Sequence, residues 1–250
     1  MLFRVLIRIF AANLKKIGQK LMQYESYSDT IEVNGTTLFY VVEGRGKPLI
    51  LLHGNGGSHN DLATTIHQMA QAGYRVYAID SRGQGANPPL DEYHYADMAE
   101  DVFQFIEALQ LDRPAVFGWS DGGIVALELE LYNPGTVSMM AISGANISPD
   151  GIGLEAYRHM FLANENPSPL TKMMMYEPNI SPERLSRINV PVLVMAGQFD
   201  LIEESHTRLI AASLPQGELY IVPGGDHGNY IYHNVHLGNL LLPFFKKNGY

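Results

Sequence analysis

The segment 115–131 constrains the fold more strongly than any other part of the chain. An apolar run suited to a buried strand ends in the pattern Gly118-x-Ser120-x-Gly122, and a segment suited to a helix follows at once. A chain that passes directly from strand to helix must turn sharply at the serine, and the two glycines leave room for that turn because they carry no Cβ. The pattern therefore predicts a turn that lifts Ser120 clear of a sheet, with the first N–H groups of the helix beside it.

Apolar runs of strand length recur along most of the chain. A hairpin is predicted at 31–43, because Asn34-Gly35 separates two alternating runs and tolerates the positive φ angles of a tight turn. Six further strands are predicted at 48–52, 74–80, 114–118, 137–143, 191–197 and 218–222.

Segments with helical patterning separate these strands. The predicted helices begin near Ser58 or Asn60, cover 95–109, follow Ser120 and begin near 233, the last breaking at Pro243. Alternation of this kind predicts an α/β fold in which a mostly parallel, eight-stranded sheet carries helices on both faces.

The composition predicts a sizeable globular domain without a nucleic-acid partner. Hydrophobic residues make up 46% of the 250 residues and charged residues 17%, which allows a large core and argues against disorder. A formal net charge of −9 leaves no broad basic face for phosphates. The absence of cysteine excludes disulfides, thiolate nucleophiles and cysteine metal sites. We therefore expect one α/β domain over 25–250, in a cytoplasmic protein that is open to association with a membrane.

The first 24 residues differ from the rest because they carry basic side chains and no acidic one. On a helix, Arg4 and Arg8 would lie opposite an apolar stripe, so the segment 1–24 is predicted to be an amphipathic helix. Charges interrupt every long apolar run, which argues against a membrane span, and Arg8 breaks the apolar region that a signal peptide needs. Two interpretations stay open: residues 1–22 make peripheral contact with an anionic membrane surface, or the helix docks on this or another subunit. The oligomeric state is left open as well.

The interval 147–187 interrupts the alternation of strands and helices. It is rich in proline, asparagine and methionine and lies between two predicted strands. In parallel sheets, ligands bind outside the carboxyl ends of the strands, where such loops gather. We expect a short lid in which Met173, Met174 and Met175 supply an adaptable apolar lining. The alternative is a packing excursion that does not contact substrate.

An acid and a histidine follow two later strands, in an order that suits nucleophilic chemistry. Asp200 comes just after the strand at 191–197, and His227 comes shortly after the strand at 218–222. A serine hydroxyl becomes a good nucleophile only when a base takes its proton and a third group holds that base. Asp226 is adjacent to His227 in sequence and poorly placed to support its ring, so Asp200 is the predicted partner.

Five short motifs, each following a predicted strand, together resemble the α/β-hydrolase fold superfamily from residue 26 to the C-terminus. They are His53-Gly54, Asp80-x-Arg82-Gly83-x-Gly85, Gly118-x-Ser120-x-Gly122, Gly197-x-x-Asp200 and Gly225-x-His227. The resemblance implies a catalytic triad of Ser120, Asp200 and His227, which stand in the chain order expected of that fold.

The same resemblance implies an oxyanion hole made by the backbone N–H groups of Asn55 and Asp121, with Gly56 as the alternative to Asn55. His53 is expected to orient this loop. Within the superfamily, Gly118-Trp119-Ser120-Asp121-Gly122-Gly123 is similar to the biphenyl-hydrolase-like, valacyclovir-cleaving serine esterases. In those enzymes the aspartate after the nucleophile helps to recognise an α-amino group, which makes the Asp121 side chain a candidate for that role.

These residues predict a serine hydrolase that cleaves small carboxylic esters through an acyl-enzyme on Ser120. The same triad serves other bonds, so a thioesterase, a lactonase or a C–C bond hydrolase is the nearest alternative. A non-catalytic ligand-binding protein and a lipase at the membrane surface are the others. No cofactor or metal is expected, because His233 and His236 lack a supporting carboxylate cluster and are interpreted as surface residues of a helix.

Overall fold

Eight strands form one sheet at the centre of the protein. The computed structural model describes residues 25–250, and the helix predicted at 1–24 lies outside the described residues. The strands are β1 (Ser26–Val33), β2 (Thr36–Gly44), β3 (Lys47–Leu52), β4 (Tyr74–Ile79), β5 (Ala115–Trp119), β6 (Met139–Ser143), β7 (Val192–Phe199) and β8 (Gly217–Asp226). Their order is β1-β2-β4-β3-β5-β6-β7-β8. Only the β1–β2 and β2–β4 pairs are antiparallel, so the mostly parallel, eight-stranded sheet predicted from the sequence is confirmed.

The predicted hairpin joins β1 to β2 through Asn34 and Gly35. Both residues have positive φ, at 47° and 72°, and Val33 pairs with Thr36 across the turn. Asparagine and glycine tolerate these angles at low cost, and a two-residue turn of this type matches the right-handed twist of the strands. The turn therefore sets the register of the antiparallel edge of the sheet.

Helices cover both faces of the sheet. They are α1 (Ala63–Gln71), α2 (Tyr95–Ala108), α3 (Asp121–Tyr132), α4 (Leu154–Tyr157), α5 (Pro169–Tyr176), α6 (Pro182–Leu185), α7 (Glu204–Ser213) and α8 (Val235–Lys247). Helices α2, α3 and α7 pack on one face, and α1 and α8 pack on the other. Successive residues of β3 alternate between these cores: Ile50 and Leu52 point into the first, Leu49 and Leu51 into the second. Burial on both faces explains why the strands are continuous apolar runs.

Helix α8 does not break at Pro243, as predicted, but continues to Lys247. Pro243 is exposed, and so is Asn239, the residue whose carbonyl loses its helical partner. Phe244 and Phe245 are buried against the sheet on the far side of the proline. Burying each phenylalanine contributes about 1.5–3 kcal/mol, which offsets the roughly 3 kcal/mol cost of an interior proline.

Strand β8 is longer than predicted and leads directly to His227. It continues past Val222 to Asp226, which pairs with Phe199 of β7 across a register shift. Pro223 is tolerated within the strand because β8 is the last strand of the sheet, where a missing N–H can face the open edge. The pairing ties the end of β7, just before Asp200, to the residue before His227.

The interval between β6 and β7 forms a helical layer with a small core of its own. It contains a 3-10 turn (Pro149–Gly151), α4, a π-helical turn (Arg158–Leu162), α5 and α6. Ile152 and Phe161 form this core together with Ile202, which follows β7, and Ile152 bridges Ile202 in antiparallel fashion. The layer is thus anchored to the loop that carries Asp200. Within residues 25–250, no helix has the length and apolarity that crossing a membrane requires.

Candidate active site

The turn between β5 and α3 holds Ser120 in a strained conformation. Ser120 has φ of 53°, which non-glycine residues adopt uncommonly, and its N–H donates to Ser143 O on neighbouring β6 at 2.7 Å. A Cβ at Gly118 would lie 2.1 Å from Gly122 O, and a Cβ at Gly122 would lie 2.4 Å from Leu52 O. Both glycines are therefore required by close backbone contacts, and the turn presents the serine hydroxyl above the carboxyl edge of the sheet.

His227 lies between Ser120 and Asp200, with one ring nitrogen on each. His227 Nε2 is 3.1 Å from Ser120 Oγ, and His227 Nδ1 is 2.6 Å from Asp200 Oδ1. A carboxylate only accepts hydrogen bonds, so Nδ1 carries the proton that is donated to Asp200. Nε2 is then left to accept the serine proton. The structure thus brings together the three side chains that the sequence placed after three separate strands.

Asp200 is held as a charged acceptor. Its side chain is 1% exposed, and it also accepts hydrogen bonds from the N–H groups of Gly197 and Ile202, at 2.9 and 3.1 Å. Burial works against its charged form, but the hydrogen bond and the charge of His227, aided by these N–H groups, lower its pKa below the usual value. Asp226 instead accepts from the N–H groups of Gly228 and Asn229 and stabilises the following turn.

Trp119 supports the histidine and was not predicted as a site residue. Its Nε1–H donates to His227 O at 2.8 Å, and its ring lies 5.7 Å from the His227 ring and 4.6 Å from the Tyr232 ring. The sequence signal was present, because Trp119 occupies the variable position before Ser120. Its partners, however, are distant in sequence.

The loop after β3 carries the proposed second oxyanion donor. His53 is buried, donates from Nδ1 to Gly54 O at 2.7 Å, and accepts from the N–H of Ser81 at 3.0 Å through Nε2. Burial lowers the pKa of His53, which favours the neutral ring that this pattern requires. The N–H of Gly56 already donates to Gln84 Oε1 at 2.7 Å. Gly56 is therefore a weaker candidate than Asn55, whose N–H has no acceptor among residues 25–250.

The Asp121 carboxylate is buried and does not line the cavity that contains Ser120 and His227. It is 4% exposed, and accepts a hydrogen bond from Tyr95 Oη at 2.8 Å and another from Asn55 Nδ2 at 2.8 Å. Burial raises its pKa, and both hydrogen bonds oppose that effect. Both oxygens already have protein partners, so this side chain does not offer a free carboxylate to a substrate ammonium group. Tyr95, the buried first residue of α2, was missed by the sequence analysis.

A cavity of about 520 Å³ opens above Ser120 and His227. Its apolar wall comes from two segments, the helical layer and the loop after β7, and consists of Ile152, Met160, Met174, Leu201 and Ile202. A second cavity of about 430 Å³ adjoins it and shares Asn55, Met160 and Met174. The predicted methionine lining is therefore correct for Met174, whereas Met173 is buried in the main core and Met175 packs on the small core of the layer.

Within residues 25–250, no group of three or more histidine, cysteine, aspartate or glutamate side chains is arranged to hold an ion. His236 lies instead edge-on to Tyr230, with ring centres 6.3 Å apart.

Comparison with known proteins agrees with this architecture. The sequence model of the alpha/beta hydrolase fold family matches residues 47–166. The chain has the α/β-hydrolase fold. The solved structure of the esterase RhEst1 from Rhodococcus sp. ECU1013 superposes with a TM-score of 0.75 at 21% identity, covering 91% of this chain and 100% of that one. Est816, described as an N-acyl homoserine lactone degrading enzyme, gives a TM-score of 0.74 at 23% identity, covering 86% and 100%.

Sequence comparison extends the likeness beyond residues 47–166. The chain is 27% identical to serine hydrolase BPHL of Homo sapiens over 84% of its own length and 81% of the relative. This agrees with the resemblance seen in the motif around Ser120. The buried Asp121 carboxylate nevertheless distinguishes the site described here from one that would bind an amine through that residue.

Proposed function

We propose that this protein is a serine hydrolase that cleaves small carboxylic esters through an acyl-enzyme on Ser120. The observation that carries the proposal is the continuous hydrogen-bonded arrangement of Ser120, His227 and Asp200, with distances of 3.1 and 2.6 Å, on the floor of an open cavity. Such geometry activates a hydroxyl that is otherwise a weak nucleophile.

In the first half of the reaction, His227 Nε2 takes the proton of Ser120 as Oγ attacks the acyl carbon. The resulting oxyanion accepts hydrogen bonds from the N–H groups of Asn55 and Asp121, and the charge of Asp200 stabilises the imidazolium. Collapse of the intermediate breaks the ester C–O bond, and the leaving alcohol takes the proton from His227. In the second half, His227 deprotonates water, which attacks the acyl-enzyme and releases the acid while Oγ regains the proton.

The apolar wall of the cavity supports an acyl group of modest size. Met160 and Met174 lie opposite the loop of Leu201 and Ile202, and methionine side chains adapt to groups of different shape. We propose that the helical layer between β6 and β7 acts as the lid of this cavity. Thioesterase, lactonase and C–C bond hydrolase activities remain the alternatives, since all use the same triad. Est816, which has a similar fold, is described as an N-acyl homoserine lactone degrading enzyme.

Substitution of the nucleophile tests the proposal. We expect Ser120→Ala to lower turnover of p-nitrophenyl butyrate by at least about 10³-fold, since the nucleophile dominates catalysis in such triads. Ser213→Ala is the matched control, because Ser213 lies on α7, its hydroxyl donates to Leu209 O, and it does not line the cavity. A fluorophosphonate probe should label Ser120 in the wild type and the control, but not in Ser120→Ala. Comparable turnover by Ser120→Ala would refute the proposal, and a wild type with neither turnover nor labelling would favour a ligand-binding protein.

A panel of substrates with one acyl group then separates the enzymatic alternatives. We expect the oxygen ester to give a higher kcat/KM than the matching thioester or lactone. The membrane-surface interpretation depends on residues 1–22, outside the described residues, and stays a prediction. Comparing the full chain with a form lacking these residues for binding to anionic vesicles would test it, since loss of basic residues removes electrostatic attraction.

A further inference from the structure

One side chain connects the two halves of the proposed oxyanion hole. Asp121 supplies a backbone N–H at the start of α3, and its carboxylate accepts a hydrogen bond from Asn55 Nδ2 at 2.8 Å. Asn55 belongs to the loop after β3, which supplies the other N–H. A hydrogen bond to a charged group therefore links the two segments that carry the N–H donors, and such a bond is stronger than one between neutral groups.

The carboxylate is itself held from behind. Tyr95 Oη donates to the second oxygen of Asp121 at 2.8 Å, and Tyr95 is 1% exposed. The backbone N–H of Tyr95 donates in turn to Glu177 Oε2 at 3.0 Å, at the end of α5 in the helical layer. Tyr95 is thus held by its backbone N–H and by its hydroxyl, and the hydroxyl fixes one oxygen of Asp121. The other oxygen of Asp121 then faces Asn55.

The rest of the loop is tied on either side of Asn55. His53 holds Gly54 O at 2.7 Å, and Gln84 Oε1 holds the Gly56 N–H at 2.7 Å. Residue 55 itself is tied by its side chain to Asp121. The Asn55 N–H shares a planar peptide unit with Gly54 O, which His53 Nδ1 and the Gly57 N–H hold at 2.7 and 3.1 Å, and the hydrogen bond to Asp121 holds the other end of that unit at residue 55.

We propose that the Asp121 carboxylate, buttressed by Tyr95, is a positioning residue that aims the Asn55 N–H at the oxyanion and does not bind the substrate. This inference rests on the proposed function and extends it to substrate specificity. A carboxylate whose two oxygens are bonded within the protein gives no advantage to an ester with an α-amino group. Substitution of Asp121 should therefore lower kcat on neutral and α-amino esters to the same degree.

The test compares kcat and KM of four variants on a neutral ester and its α-amino counterpart. We expect Asp121→Ala to lower kcat by about 10- to 100-fold on both substrates, with KM changed less than about threefold. This loss of kcat is smaller than the roughly 10²- to 10³-fold loss seen when an oxyanion donor is removed altogether, because the Asn55 N–H is still present. Asp121→Asn keeps an acceptor oxygen for Asn55 and should recover a large part of that loss. Asn55→Ala should lower kcat as much as Asp121→Ala does. The double variant should have the same kcat as Asn55→Ala, because each substitution removes the same hydrogen bond.

A matched control is available on the same helix. Glu130→Gln changes another buried carboxylate of α3, which accepts hydrogen bonds from the N–H groups of Gly135 and Val137 beyond the far end of the helix, and should keep wild-type kcat. Circular dichroism of each variant checks that the fold is retained. If Asp121→Ala does not fold, Asn55→Ala, in a loop that is not fully buried, carries the test alone by its loss of kcat.

Two results would overturn the inference. One is an unchanged kcat on the neutral ester in Asp121→Ala or Asn55→Ala, with a rise in KM confined to the α-amino ester. The other is a double variant whose loss is the product of the single losses, which would show that the two residues act independently. Full turnover by Ser120→Ala would instead refute the proposed function, and that result is distinguishable because it leaves Asp121 unaltered.

Discussion

Glu128 gives the fold a specific dependence on pH. Its side chain is buried in α3, and Oε2 has no hydrogen-bond partner among residues 25–250. Burial, and then the charge of Glu177, raise the pKa of Glu128 from 4.5 to about 7, and Arg184 only partly opposes this. The folded state therefore retains a proton that the unfolded chain loses near pH 4.5. This contribution to stability is fully present below pH 4.5 and is lost as the pH rises to about 7.

Glu128→Gln removes this dependence because the amide does not titrate. Since one pH unit of difference corresponds to about 1.4 kcal/mol, the free energy of unfolding of the variant, relative to wild type, should increase by about 2–3 kcal/mol between pH 5 and pH 8.5. Any constant effect of the new amide cancels in this comparison. Urea unfolding followed by circular dichroism at both pH values measures it.

Glu107→Gln, an exposed change on α2, is the control and should stay within about 0.5 kcal/mol of wild type at both pH values. A difference between Glu128→Gln and wild type that is the same at pH 5 and pH 8.5 would show that Glu128 is charged throughout. The reasoning from burial and missing partners would then be refuted.

Two further predictions concern catalysis. Asp200→Asn should lower kcat on p-nitrophenyl butyrate by about 10⁴-fold with little change in KM, since the amide no longer favours the Nδ1–H form of His227. A loss of kcat below about tenfold would contradict the proposed role of Asp200. Met174→Trp should reduce kcat/KM for octanoyl esters far more than for acetyl esters, because Met174 lines the cavity. Equal losses on both esters would show that acyl groups do not reach this wall.

The sheet and the meeting of Ser120, Asp200 and His227 at one of its edges were predictable because their signals are local. Ser120 and Asp200 directly follow apolar strands, His227 comes soon after one, and the ends of neighbouring parallel strands meet at one edge. Strand length and turn glycines contain that information. The choice of Asp200 over Asp226 needed only the argument that adjacent residues rarely face each other.

The hydrogen bonds around the site could not be predicted from local sequence patterns, because they join residues that are far apart in the chain. Tyr95 meets Asp121 from 26 positions away, and Glu177 meets Tyr95 from 82 positions away. The motif around Ser120 fixes where the Asp121 backbone lies but not where its carboxylate points. The unbroken α8 is similar, because burial of Phe244 and Phe245 overrides the local preference against Pro243. Tertiary packing decided each of these features.

The position of Trp119 has a practical consequence. It is the sole tryptophan in the 250 residues, and it lines the cavity beside Ser120 with its indole N–H on the His227 backbone. Intrinsic fluorescence excited at the red edge of the absorption band would therefore come from one place, next to the Ser120 hydroxyl. Ligand entry, and the acyl-enzyme formation and product release of the proposed function, could each be followed as a change in emission, without attaching a dye.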